Sequence, residues 1–101
     1  MPQDWCRRYP RSLPDVFDLA PKVELHLHLD GSLRPATALE LARAHGVADA
    51  PDTVEDMRER VVAPERCADQ AELLQAFDLP IALLQDAPAL ERVARELVED
   101  V

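Results

Sequence analysis

Two histidines separated by one residue, His26-Leu27-His28, are the part of this sequence in which side-chain type and spacing imply chemistry. Imidazoles at positions i and i+2 of an extended segment project from the same side, about 6.6 Å apart along the chain. Two rings that lean together from such positions can each bring a nitrogen to about 2.0–2.1 Å from one zinc ion. Glu24 and Asp30 fall on the same side, so every residue of that face is ionisable. Such a concentration suits a metal site or an acid–base pocket better than a solvated surface. The spacing alone is also satisfied by two polar positions on an ordinary amphipathic strand.

The elements that must position these residues can be read from the surrounding pattern. Val23, Leu25, Leu27 and Leu29 alternate with Glu24, His26, His28 and Asp30, which predicts a period-two strand whose leucine face buries against helices. Gly31 and Ser32 end it, and Pro35 suits the first turn of a helix running to about His45 with Gly46 as its stop. Asp52 or Thr53 can cap a short helix over 54–62, ended before Pro64. Asp69 to Glu72 resembles a capping box that opens a helix with Leu73, Leu74, Phe77 and Ile81 on one face, kinked or ended at Pro80. Asp86 caps a last helix with the stripe Leu90, Val93, Ala94, Leu97, Val98 and Val101.

Ahead of these elements, residues 1–20 read as a leader with one helical turn, capped by Ser12 and presenting Leu13, Val16 and Phe17. The order is then one strand followed by several helices, an α/β arrangement in which the lone strand needs partners from more chain or another subunit. The apolar stripe still in phase at Val101 predicts that the element continues.

Composition narrows the partners. With 20 acidic against 11 basic side chains the net charge is −9, which repels nucleic acid phosphates and anionic lipid. Cys6 and Cys67 stand far apart without a CxxC pair, so neither a disulfide framework nor a thiolate zinc site is indicated, and two reduced thiols in a soluble cytoplasmic protein are expected. The first 18 residues lack the apolar stretch of an export signal, and no apolar run approaches the roughly 20 residues that span a bilayer. His45 reads as a solvent-facing residue near a helix C-terminus.

Pro21-Lys22-Val23-Glu24-Leu25-His26-Leu27-His28-Leu29-Asp30-Gly31-Ser32 closely resembles the opening motif of the adenosine deaminase family. The segments 67–85 and 90–101 look like that family's next helices in the same order, so the resemblance covers residues 21–101 and leaves the leader outside it. It implies the N-terminal part of a TIM (β/α)8 barrel with one zinc ion at its C-terminal mouth. By the same resemblance His26 and His28 are zinc ligands, His28 also touches the substrate, and Asp30 hydrogen-bonds the 5′-hydroxyl of the ribose. Leu73, Leu74 and Phe77 would gate the pocket, although a stripe at helical spacing is more often packing.

The implied reaction is hydrolytic removal of the 6-amino group of adenosine or deoxyadenosine. The family's third histidine ligand, its aspartate ligand, its proton-donating glutamate and a further catalytic histidine come from later strands, so no catalytic residue falls within this chain. The His-x-Glu and Pro-Cys-x-x-Cys signature of the other zinc deaminases is absent from the sequence. Two alternatives remain open at this point: a deaminase of adenine or of a modified adenine nucleoside on the same barrel, and a small helical interaction module with a coincidental His-x-His.

Overall fold

The computed structural model describes residues 20–101, so the expected leader turn, with Cys6, lies outside the described residues apart from Ala20. Among the described residues the chain is helical and contains no strand. An irregular segment through His28 leads into a 3-10 turn, Leu29–Gly31. Five α-helices follow: α1 (Pro35–His45), α2 (Val54–Val61), α3 (Gln70–Leu74), α4 (Asp78–Leu83) and α5 (Ala87–Asp100). A second 3-10 turn, Gln75–Phe77, joins α3 to α4.

The predicted strand over Val23–Asp30 is corrected in two respects. Its last two residues have entered the 3-10 turn, and the rest belongs to no β-ladder among the described residues. His28 keeps extended dihedrals, φ −109° and ψ 126°. A strand is defined by its partner, and nothing in the described residues offers one. The leucine face is correspondingly uncovered: Val23 and Leu25 are 84% and 90% exposed, and only Leu29, at the turn, packs against the core.

Each helix begins and ends where local chemistry favours it. Pro35 occupies the first turn of α1, and Gly46 closes it in the left-handed region at φ 60°. There the amide of Val47 donates to the Ala42 carbonyl at 3.0 Å and that of Gly46 to Arg43 at 3.3 Å, so the last carbonyls are satisfied as the chain reverses. Thr53 rather than Asp52 caps α2, its hydroxyl accepting from the Asp56 amide at 3.1 Å. Asp69 caps α3 by accepting from the Glu72 amide at 2.9 Å. Glu72 reaches back to the amide of Ala68, one residue before the cap position that a strict capping box would use.

Pro80 does not end its helix but breaks it upstream. Lacking an N–H, it leaves the carbonyl four residues earlier without a helical donor, and residues 75–77 tighten into the 3-10 turn before α4 resumes. The buried residues there are Leu79, Pro80 and Leu83, whereas Leu73, Leu74 and Ile81 lie on the surface. The predicted shared apolar face is therefore not the packed one.

The core gathers Leu33, Ala38, Leu39, Leu41 and Ala42 with Met57, Val61, Leu79, Leu83, Ala89 and Val93. Met57, Leu83 and Val93 are wholly enclosed. α1 packs on α2 and α4, and α5 lies against the Leu29–Gly31 turn. α5 buries Ala89, Val93 and Glu96, while Leu90, Val98 and Val101 of the predicted stripe are exposed. The packed face is thus rotated toward a carboxylate.

Glu96 is 5% exposed and fully partnered. It accepts from the Thr37 hydroxyl at 2.7 Å and from Arg92 Nε at 3.0 Å, with Arg34 at 3.9 Å. Arg34 continues to Asp100 at 2.6 Å and Glu99 at 3.1 Å, and Arg92 to Glu40 at 2.7 Å. Burial raises the Glu96 carboxyl, but the Thr37 hydroxyl and the two guanidinium groups outweigh it and hold the group below its ordinary value. The hydrogen bond from Arg34 similarly depresses Asp100, and both arginines are held more firmly protonated, Arg34 first by Asp100 and Arg92 first by Glu40.

A depressed folded-state value means stability that is present above the unfolded value and lost as pH falls through the folded one. Thermal unfolding is expected to show a decline beginning near pH 5 and deepening below about pH 4, and Glu96→Gln should flatten that decline while lowering the midpoint at neutral pH. Asp86 is a second leverage point: its carboxylate accepts from the Ala89 amide at 2.8 Å and meets His45 Nε2 at 3.2 Å. His45 is exposed at the end of α1, as expected, and its contact with Asp86 links that end to the start of α5. Asp86→Ala should cost about 1 kcal/mol in urea unfolding, the usual value of a lost cap.

Candidate metal centre

His26 and His28 are brought together as the alternation requires. Their rings stand on the same side, with Nε2 to Nε2 at 3.1 Å, centroids 5.1 Å apart and planes inclined by 33°. Two nitrogens that each bind one ion at about 2.0–2.1 Å must lie roughly 3–3.4 Å from each other, so the donor set fits a shared divalent cation. Both residues are exposed, and neither ring is consumed by packing into the helical core.

The turn that follows fixes His28. Its carbonyl accepts from the Gly31 amide at 3.1 Å and from the Ser32 hydroxyl at 2.6 Å. Asp30, carried on this turn rather than on a strand, keeps its Oδ1 3.9 Å from His28 Nδ1, placing a carboxylate beside the ring nitrogen opposite the convergent pair. Phe77 closes another flank, its ring centroid 6.0 Å from that of His28. Gly31 allows this approach, because a Cβ there would stand 3.1 Å from the Phe77 ring.

Of the three expected gate residues, Phe77 therefore meets the histidine segment, whereas Leu73 and Leu74 are 42% and 48% exposed. Among the described residues no group of three or more His, Cys, Asp or Glu side chains is assembled for a metal. An open depression is bounded by Glu55, Arg58, Glu59 and residues 62–65, and none of the candidate residues lines it. It is a shallow groove beside α2 and carries no converging donors, so the histidine pair remains the candidate.

Comparison with known proteins decides the family. Residues 21–101 match the family model described as "Adenosine deaminase". The chain belongs to the adenosine deaminase family. It is 48% identical over 80 residues to an adenosine deaminase of Shewanella halifaxensis, covering 79% of this chain and 24% of that one. With an adenosine deaminase of Clostridium perfringens it shares 50% over 80 residues, again 79% of this chain and 24% of the relative. With that of Vibrio vulnificus it shares 45% over 86 residues, 85% of this chain and 26% of the relative. This member of the adenosine deaminase family thus spans about a quarter of the length of the curated relatives it matches. No solved structure matches the chain.

Family membership removes the coincidental interaction module from consideration. The sequence missed Arg34, Thr37, Glu96 and Arg92, which hold α5 close behind the turn. The one available signal was an acidic residue at i+3 from Val93 and i+7 from Ala89, on the packed face of α5.

Two imidazoles alone make a weak, open zinc site. Equilibrium dialysis of the 101-residue chain is expected to show no tightly held one-to-one zinc complex, and His26→Ala or His28→Ala should abolish the weak binding that remains.

Proposed function

We propose that this chain supplies the first strand and following helices of a zinc-dependent (β/α)8 deaminase, which converts adenosine or deoxyadenosine and water to inosine or deoxyinosine and ammonia. The observation that carries the reading is the convergence of the His26 and His28 nitrogens at 3.1 Å within a segment that matches the adenosine deaminase family. The extended run before the turn, with Val23 and Leu25 exposed, is the strand that the rest of such a barrel would pair and cover.

In this reading His26 and His28 hold the metal. When bound, zinc supplies Lewis acidity and makes hydroxide available near neutral pH. His28 also faces the purine, with Phe77 as the wall against its ring and Leu73 and Leu74 as the outer part of a gate over the pocket. Asp30 accepts a hydrogen bond from the 5′-hydroxyl of the ribose, and Gly31 lets the substrate come close to the backbone. The proton-transferring groups, the third histidine and the aspartate ligand belong to chain outside these 101 residues. A purine nucleoside is the partner, and the cytoplasm, where the unpaired thiol pattern belongs, is the compartment.

A carboxylate at position 30 favours a nucleoside over free adenine, since adenine has no ribose hydroxyl to offer it. Grafting residues 21–101 in place of the matching segment of the Shewanella halifaxensis enzyme tests both points. The chimera should release ammonia from adenosine and deoxyadenosine but not from adenine. His26→Ala in it should lower kcat/KM by at least about a thousandfold, and Asp30→Asn should act mainly on KM for nucleosides. A soluble chimera that deaminates adenine and leaves adenosine untouched would assign the chain to the other branch.

A further inference from the structure

The turn that carries Asp30 is a small rigid unit. The His28 carbonyl accepts from the Gly31 amide at 3.1 Å and from the Ser32 hydroxyl at 2.6 Å, and the Leu29 carbonyl accepts from the Ser32 amide at 3.1 Å. A turn closed by these internal bonds moves as one body, so Asp30 goes where residues 32–34 take it. Leu33, 7% exposed, sets the depth of that exit in the core. An apolar contact is non-directional, however, and leaves the rotation of the turn open.

Arg34 supplies the missing direction. Its guanidinium grips the Asp100 carboxylate at two points, Nε to Oδ2 at 3.0 Å and Nη2 to Oδ1 at 2.6 Å. Nη2 also donates to Glu99 Oε2 at 3.1 Å and to the Glu96 carbonyl at 3.4 Å. A two-point fork on a carboxylate defines an orientation as well as a distance. The anchor is itself fixed, because Glu96, one turn before Asp100 on α5, is buried and held by Thr37 and Arg92. The gripping groups are solvated: the Arg34 side chain is 38% exposed, and those of Glu99 and Asp100 are each 48% exposed. Exposed ion pairs add little to stability, so the main effect of this grip is on orientation.

We propose that Arg34 is a positioning residue for nucleoside binding: by locking the turn Leu29–Gly31 to the C-terminal part of α5, it aims the Asp30 carboxylate at the ribose 5′-hydroxyl. The inference rests on the reading of Asp30 as the ribose contact, and it adds a residue that touches neither metal nor substrate. The turn packs on α5 directly, so a fork that holds Arg34 on the same helix limits how far the turn can rotate over it. His26 and His28 precede the turn, and loosening it bears on Asp30 first.

Adenosine and 5′-deoxyadenosine, compared in the chimera that carries residues 21–101 in the Shewanella halifaxensis enzyme, give the readout. The unsubstituted chimera should favour adenosine by about tenfold to a hundredfold in KM, the worth of one hydrogen bond to a charged group. Arg34→Gln should raise KM for adenosine and cut that preference by at least about threefold, with KM for 5′-deoxyadenosine, kcat and the thermal midpoint nearly unchanged. Asp100→Asn, on the other side of the fork, should do the same, and after Asp30→Asn neither change should have a further effect. In the 101-residue chain by itself, Arg34→Gln should lower the NMR order parameters of residues 29–32 and spare those of α1 and α5.

A chimera indifferent to the 5′-hydroxyl overturns the ribose reading of Asp30, and the positioning role with it. A preference that disappears with Asp30→Asn but survives both Arg34→Gln and Asp100→Asn overturns the positioning role alone. So does an equal loss on both substrates accompanied by a lower midpoint, the mark of a merely structural contact. Unchanged order parameters in the turn overturn it as well, whether or not the chimera is active.

Discussion

The carboxylate of Glu96 is the interaction on which the placement of the last helix depends. A nearly enclosed charge is tolerable only when it is paired and hydrogen-bonded, and here Thr37, Arg92 and Arg34 meet that demand together. The consequence reaches past α5. Arg34 is the residue just before α1, and its guanidinium also collects Glu99 and Asp100 at the far end of α5. The turn that carries Asp30 packs on α4 and on α5, so the polar lock that seats α5 also bears on the position of the histidine segment.

A second constraint is that the described residues offer the histidine segment no strand partner. The histidine segment keeps extended geometry at His28 and presents both rings to one side, because alternation is a property of the backbone and survives without a sheet. Burial is not such a property. Val23 and Leu25 are exposed, because covering an apolar face needs a neighbour that alternation alone does not supply. The alternation falls within the part of the chain that matches the adenosine deaminase family, and that match spans about a quarter of the relatives' length.

The family signature itself was legible in residues 21–32, since two histidines at i and i+2 with an aspartate and a glycine after them define both a face and a turn. Helix limits were also legible wherever a single residue carried the signal. Pro35 and Gly46 bound α1, and Thr53, Asp69 and Asp86 cap their helices through hydrogen bonds to amides three residues on. Pro80 was read correctly as a disruption but misplaced in effect, because the loss of its N–H is felt by the turn before it.

Sequence by itself determined the pairing of His26 with His28 and the starts of the helices, because these depend on backbone period and on contacts within a few residues. Tertiary structure alone decided which faces are inside. Leu73, Leu74, Ile81 and Val98 are exposed although their spacing is helical and apolar, while Glu96 is buried among them in sequence but not in space. Whether a residue is covered depends on partners tens of positions away, such as Thr37 and Arg34 for Glu96, or Phe77 for the turn at Gly31. Local pattern holds no record of those partners, so it cannot say which side of a helix the rest of the molecule will take.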